Sequence, residues 1–268
     1  MAYFELKPKD WETNFFGFSY GLLSLTSNQS FDSLKDDMHA AVEELHALIQ
    51  QESSKYAYIE MNLDSRFFFF IPKLEDLGFR LLDTKATYLT EFSQEDLQKQ
   101  NFELSDENLV IRNKRESDYD TILTMSVDVM VQDKVFVSKY KNSDFFSEDI
   151  PKKYYTEWIK NTFFAASSYF AVLTNKEDQI KGFFIYDKRN DAKSGLPIYK
   201  GILTVVDKDV RGKNIHLALQ SFIFKQINDE KLIIENATQV SNIPVIRNHI
   251  RSHRMLDSVT FILVRKSS

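Results

Sequence analysis

Two kinds of hydrophobic spacing alternate along the chain. Between residues 33 and 51, apolar side chains such as Leu34, Met38 and Ala41 recur every three or four positions, which predicts a helix with one buried face. Residues 56–63 alternate apolar and polar, which predicts a strand. The same criteria predict further strands at 84–92, 109–112, 169–174, 181–187, 199–206, 232–236 and 259–264, and helices that end near 77, begin at 151, cover 216–228 and cover 244–250.

An acidic stretch separates the chain into two parts. Glu91–Asn108 contains six acidic residues and a single lysine, Lys99, with few apolar residues between them. Such a stretch is typical of an exposed crossing between domains. It predicts a boundary near residue 100, with domains at 1–100 and 101–268.

One short pattern occurs in both parts. Leu82-Asp83-Thr84 leads into an apolar strand, and Leu256-Asp257-Ser258 leads into another. Each follows a predicted short helix. The repetition suggests that the first domain is a reduced copy of the second.

Composition excludes several classes of function. Lys plus Arg is 34 and Asp plus Glu is 39, so the net charge is 34 − 39 = −5, which argues against a nucleic-acid partner. Cysteine is absent, and none of the five histidines has HExxH spacing, so we expect no disulfide and no metal. No run of 18 apolar residues is present and the first residues do not resemble a secretory signal. We therefore expect a cytoplasmic protein without a membrane partner.

The most informative block follows the strand near residue 202. Arg211-Gly212-Lys213-Asn214-Ile215-His216 enters an amphipathic helix, and such a turn presents backbone N–H groups and the positive end of the helix dipole. Lys208, Arg211 and Lys213 add positive charge. This arrangement suits a pyrophosphate. Turn chemistry alone favours an ordinary strand–turn–helix with basic surface residues.

The order and spacing of this block resemble the GNAT superfamily of acyl-CoA N-acyltransferases. Arg211 fills the first position of the family's Gln/Arg-x-x-Gly-x-Gly/Ala turn, while Asn214 and His216 stand in place of the two glycines. The run Thr238–Arg247, with Asn242 and Pro244, resembles that of acetyltransferases similar to TDP-fucosamine acetyltransferase. Trp11–Phe18 and Tyr154–Asn161 resemble two further segments of that subfamily.

The resemblance implies an α/β fold with a mixed sheet, a GNAT domain preceded by a smaller GNAT-like one. It implies transfer of an acetyl group from acetyl-CoA, without a metal, to a primary amine, here an amino group of a nucleotide-linked deoxysugar. Many family members form homodimers, so the resemblance also suggests a homodimer. The residues it assigns to the co-substrate are Leu203, Thr204 and Val205 for the pantetheine, Arg211, Gly212, Lys213, Asn214, Ile215 and His216 for the pyrophosphate, and Asn242 at the next helix.

The catalytic positions depart from the family pattern. His249 stands where the family has the tyrosine that protonates the departing thiolate, and His253-Arg254 replaces the following Gly-Phe. Two hypotheses for His249 stay open: a general acid, or a surface helix residue with water as the acid. Glu235 and Asp207 are candidate bases or relays, although carboxylates at such places are more often simply strand-end or turn residues.

Two other functions remain as alternatives. The loss of both loop glycines and the tyrosine favours a non-catalytic binding module with the GNAT fold and an altered CoA loop. Paired domains of this fold also occur in transferases with amino-acyl donors, although the net charge argues against a tRNA-dependent donor.

Overall fold

The computed structural model describes residues 2–26, 31–52, 54–132 and 138–267, and the side chains of all of these except 31–33. The strands in them are β1 (Phe4–Pro8), β2 (Tyr20–Leu25), β3 (Tyr58–Asp64), β4 (Arg80–Ser93), β5 (Leu109–Arg112), β6 (Ser168–Asn175), β7 (Ile180–Asn190), β8 (Pro197–Val206), β9 (Lys231–Gln239) and β10 (Leu256–Lys266). The α-helices are α1 (Asp10–Phe16), α2 (Phe31–Asp36), α3 (Met38–Glu52), α4 (Ile71–Asp76), α5 (Gln94–Lys99), α6 (Tyr119–Val127), α7 (Ile150–Phe164), α8 (Ile215–Phe224) and α9 (Ile243–Arg251).

These elements form two compact units. Within the described residues, the first unit contains 2–86, 138–147 and 258–267, and the second contains 87–132 and 148–257. The division falls inside β4, between Ala86 and Thr87. The domain boundary expected near residue 100 therefore lies within the second unit. The acidic stretch there carries α5, whose Leu97 is buried.

The first unit is a mixed sheet with helices on its surface. β1 pairs antiparallel with β2, β2 pairs parallel with β3, and β3 pairs antiparallel with Thr260–Lys266 of β10. Ala41, Leu45 and Ile49 form the buried face of α3, as the spacing predicts. The single helix expected over 33–51 is divided into α2 and α3.

The second unit has the strand order β4-β9-β8-β7-β6-β5, parallel between β8 and β9 and antiparallel from β8 to β5. Alternating residues of its strands face two hydrophobic clusters, as a pleated sheet requires. One face packs Phe184 and Tyr186 with Leu219 and Ile223 of α8. The opposite face packs Phe183, Ile185, Phe170 and Val172 against α6 and α7. The α/β class with a mixed sheet is therefore confirmed.

Two halves of the chain repeat one order of elements. The first runs β2, helices, parallel β3, α4 and then β4; the second runs β8, α8, parallel β9, α9 and then β10. The repeated sequence pattern marks β4 and β10, the corresponding last strands. Each supplies residues to the unit of the other repeat, since 87–93 of β4 belong to the second unit and 258–266 of β10 to the first.

Candidate functional site

A crevice begins where two parallel strands of the second unit stop pairing. β8 and β9 pair through Ile198–Gly201 and Ile233–Asn236, and within these fully described strands the ladder ends at Gly201. On its other edge β8 shifts register against β7, since Ile185 faces Leu203 and Tyr186 faces Gly201, leaving Ile202 as the extra residue of a bulge. Ile202–Thr204 are only partly buried although they lie inside the sheet.

The crevice leads to the N-terminus of α8. Asn214 occupies the N-cap position in the left-handed conformation (φ 56°) that asparagine tolerates, and Gly212 has φ 91°. The Asn214 side chain makes no capping hydrogen bond to the helix, and its Oδ1 instead accepts a bond of 2.9 Å from Arg251 Nη2. The N–H groups of the first turn therefore keep their bonding capacity for an anion.

The basic residues of the loop have separate roles. Arg211 Nε donates to the carbonyl oxygen of Val206 (3.0 Å), which holds the loop against the end of β8 and leaves the side chain exposed. Lys213 pairs with Asp106 (2.7 Å), so part of its charge is neutralised. The ring of His216 turns inward, 5.2 Å from the ring of Phe184, and its Nε2 lies 3.1 Å from Gln220 Nε2.

His249 is a buried residue of α9, with 2% of its surface exposed. Its ring lies 4.7 Å from the ring of Tyr88 and 6.1 Å from that of His216. Burial, with smaller effects of the nearby His216 and Arg254 in the same direction, lowers the pKa of His249 to about 3. Burial and Arg254 likewise lower the pKa of His216 to about 4. Both rings are therefore neutral at pH 7.

The two candidate bases already have partners: Glu235 forms ion pairs, and Asp207 caps a turn. Burial of Glu235 tends to raise its pKa, but ion pairs with Lys200 (2.8 Å) and Arg189 outweigh that effect and lower it. Asp207 Oδ1 accepts a bond of 3.2 Å from the Asp209 N–H, which caps the 3₁₀ turn after β8. Asn242 precedes α9 at its N-cap position without a side-chain capping bond, and Pro244 lies in the first turn.

Sequence reasoning missed four residues of this region. Arg254 is 5% exposed, and the polar group that interacts with its side chain is the hydroxyl of Tyr186, not a carboxylate. Asn236 lies across Gly201, where an added Cβ would come 2.0 Å from Asn236 Nδ2. Tyr88 and Gln220 border the two histidines. The available signal was the substitution of His253-Arg254 for Gly-Phe, which corresponds to Gly78-Phe79 in the first half.

The described residues contain no group of three or more His, Asp or Glu side chains arranged to hold a metal ion. No helix among them has the length and apolar character needed to cross a membrane.

Comparison with known proteins identifies the fold. No protein family model and no curated protein matches this chain. A tandem GNAT protein from the clavulanic acid biosynthesis pathway superposes with a TM-score of 0.55 at 9% identity, covering 93% of this chain and 75% of its own. A GCN5-related N-acetyltransferase from Sphaerobacter thermophilus gives 0.51 at 11% identity, covering 92% and 73%.

The chain has the GNAT fold. A functionally unknown conserved protein from Staphylococcus epidermidis also superposes, with a TM-score of 0.54 at 13% identity, covering 92% of this chain and 85% of its own. These likenesses extend over nearly the whole chain, and they agree with the repeated element order of the two halves.

Proposed function

We propose that the second unit is an N-acyltransferase that moves an acyl group from an acyl-CoA such as acetyl-CoA to a primary amine. The observation that carries the proposal is the continuous path from the parted strands β8 and β9 to the uncapped N-terminus of α8. Such a path offers a strand edge for an extended chain and an anion site at its end.

Different residues along this path suit different parts of the acyl-CoA. The unpaired edge of β8 at Leu203, Thr204 and Val205 is suited to hold the pantetheine amides as an added strand would be held. The N–H groups at the start of α8, with Arg211, suit the pyrophosphate. The bulge at Ile202 turns the backbone of β8 locally, and a backbone N–H there is placed to stabilise the oxyanion.

The transfer itself needs little acid catalysis. The neutral amine nitrogen bonds to the acyl carbon, the carbon–sulfur bond breaks, CoA leaves as its thiolate and the amine proton passes to water. A thiol pKa of about 8.5 makes that thiolate a good leaving group near neutral pH. A role of His249 as general acid stays a prediction, and a neutral imidazole there would serve as a hydrogen-bond donor.

For the acceptor we propose an amino group of a nucleotide-linked sugar. The support is the resemblance of Thr238–Arg247 and Trp11–Phe18 to the subfamily that acts on such sugars. A panel of nucleotide amino sugars, with simple primary amines beside it, tests this part by the amide product that each yields.

The co-substrate site is tested by calorimetry with CoA, acetyl-CoA and pantetheine. We expect CoA to bind more tightly than pantetheine because only CoA carries the pyrophosphate, and Arg211→Ala to weaken CoA by about 1–2 kcal/mol without affecting pantetheine. Lys193→Ala, which removes an exposed cation elsewhere in the unit, is the control. Equal affinities for CoA and pantetheine would remove the pyrophosphate site. CoA binding without transfer to any amine would favour a non-catalytic module.

A further inference from the structure

The side chain of Arg254 is enclosed without a carboxylate to balance its charge. Its Nε, Nη1 and Nη2 atoms are buried and make no well-aligned hydrogen bond among the described residues, and the polar group that interacts with them is the neutral hydroxyl of Tyr186. The ring centroids of Phe92 and Phe224 lie 4.7 and 5.2 Å from its Cζ, and they contribute cation–π contact but no acceptor. The positive charge of Arg254 therefore lacks a counter-ion.

The first unit has an apolar residue, Phe79, at the position that corresponds to Arg254. The N–H of Phe79 bonds to the carbonyl of Leu74 (3.0 Å), and the N–H of Arg254 bonds to that of His249 (2.9 Å), each spanning five residues. Each motif has a left-handed residue before it, Gly78 with φ 85° and His253 with φ 55°. Leu74 and Phe79 are fully buried, so the second unit places an imidazole and a guanidinium in two apolar positions.

Two further unpaired polar atoms belong to residues linked to Arg254 through the histidines, since Gln220 neighbours His216 and His216 neighbours His249. His249 Nδ1 and Gln220 Oε1 are buried without a partner in the described structure. The hydroxyl of Tyr186, which neighbours Arg254, lies 3.4 Å from Asn236 Oδ1, and Asn236 covers Gly201. The cluster thus adjoins the point where β8 and β9 stop pairing. It carries one positive charge and no carboxylate.

The chemistry of this cluster favours a carboxylate. A buried unpaired guanidinium costs several kcal/mol, and a planar carboxylate that accepts two parallel N–H bonds is its best match. Arg254 contacts Phe224 at the C-terminal end of α8, which lies nine residues, or about 13 Å at 1.5 Å per residue, from Ile215 at the end suited to the pyrophosphate. The cluster lies toward the Gly201 end of the crevice, because Tyr186, which neighbours Arg254, pairs with Gly201.

We propose that the acyl group transferred by this protein ends in a carboxylate and that Arg254 binds that carboxylate. Gln220 and the imidazoles of His216 and His249 complete the polar wall. The inference rests on the proposed acyl-CoA site, and it changes the donor class from acetyl to a dicarboxylic acyl group of short length.

Two matched pairs of donors test the proposal by calorimetry on the full chain. Succinyl-CoA and butyryl-CoA differ by a carboxylate in place of a methyl group, as do malonyl-CoA and propionyl-CoA. We expect at least one carboxylated donor to bind about 10- to 100-fold more tightly than its partner, the range of a charged hydrogen-bonded pair. Arg254→Phe, which restores the residue of the first unit, should abolish that preference, and Arg254→Lys should retain part of it. Lys225→Met, an exposed cation at the end of α8, should leave it unchanged.

The outcomes separate this inference from the proposed function. If CoA and every acyl-CoA fail to bind, the proposed function fails and the donor class falls with it. If all donors bind alike and Arg254→Phe changes nothing, the acyltransferase stands and the carboxylate site is overturned. If free succinate stabilises the wild type but not Arg254→Phe, while the carboxylated thioesters show no preference, the site holds a free carboxylate and the proposal for the donor is wrong.

Discussion

The two buried imidazoles of the second unit make its stability depend on pH. His249 is neutral in the folded chain with a pKa of about 3, whereas an exposed histidine titrates near 6.5. Below pH 6.5 the unfolded chain binds a proton that the folded ring does not, so the stabilisation present above 6.5 is lost as the pH falls toward 3.

We therefore expect the wild type to lose about 2 kcal/mol more than His249→Leu in unfolding free energy between pH 6.5 and 5. Leucine is the matched replacement because Leu74 fills the same position in the first unit. Urea unfolding at the two pH values measures the difference. His39→Asn, which removes an imidazole whose side chain is 91% exposed, should keep the wild-type slope. Parallel slopes for wild type and His249→Leu would contradict the buried neutral state.

A buried carboxylate plays the corresponding part in the first unit. Glu60 accepts a hydrogen bond from the Tyr20 hydroxyl (3.0 Å) and pairs with Lys139 and with Lys9 (3.5 Å). Burial tends to raise the pKa of Glu60, but the two lysines outweigh it and lower the pKa to about 2. This stabilisation holds above pH 4.5 and is lost as the pH falls toward 2.

Glu60→Gln should lower the unfolding free energy at pH 7 by about 3–5 kcal/mol, because it leaves Lys139 buried without its counter-charge. Glu60→Gln/Lys139→Met should recover much of the loss. The control is Glu5→Gln, whose exposed pair with Lys7 is worth at most about 1 kcal/mol. Denaturant titrations compare the four proteins, and equal losses for Glu60→Gln and Glu5→Gln would rule out a buried network.

At the scale of the element, β8 makes close contacts at two glycines, Gly182 of the neighbouring β7 and its own Gly201. An added Cβ at Gly182 of β7 would come 2.7 Å from the carbonyl oxygen of Val205, which belongs to the backbone. At Gly201 it would come 2.0 Å from Asn236 Nδ2, the end of a side chain. The first obstacle is rigid and the second is movable.

We expect Gly182→Ala to cost about 1–3 kcal/mol of stability by overpacking. Compared with Gly182→Ala, Gly201→Ala should lower the stability less and the affinity for acyl-CoA more, because the displaced Asn236 side chain moves into the crevice. The double variant Gly201→Ala/Asn236→Ala should recover the binding. Thermal unfolding and calorimetry give the two quantities separately. Equal stability losses, with no rescue by the double variant, would show that Asn236 does not adjust.

At the scale of the whole molecule, the first unit draws its residues from three parts of the chain. β10 supplies the strand beside β3, and residues 138–147 supply Lys139 to Glu60. A unit assembled in this way does not correspond to a continuous segment of sequence.

A fragment of residues 1–100 should therefore fail to fold cooperatively, since it exposes the edge of β3 and leaves Glu60 without Lys139. Circular dichroism during thermal unfolding measures this, with the full chain as the reference. Addition of a peptide for residues 256–268 should restore part of the structure. A sharp, cooperative transition of the fragment alone would show that β10 is dispensable.

The sequence by itself determined many of the elements after residue 33 and their order, because the 3.6- and 2-residue periods of apolar side chains are local properties, but it did not predict β1, α1, β2 or α5. It placed β5 at its observed bounds, β8 and α9 within a few residues of theirs, and the turn from Arg211 to His216 between a strand and a helix. It also marked β4 and β10 by their common pattern. The GNAT fold is what the resemblance of Arg211–His216 and Thr238–Arg247 to that family implies, and the comparisons confirm the fold.

Only the tertiary structure decided which unit each strand completes and which polar residues are buried. β4 and β10 have similar sequences, and no local signal states that each joins the sheet of the other repeat. Burial likewise depends on what packs over a position. His249 and Arg254 carry polar side chains on a short helix and the turn after it, yet both are buried, as are Leu74 and Phe79 at the equivalent positions of the first unit. In the interior, the protonation and charge pairing of these side chains depend on their surroundings as well as on the residue type.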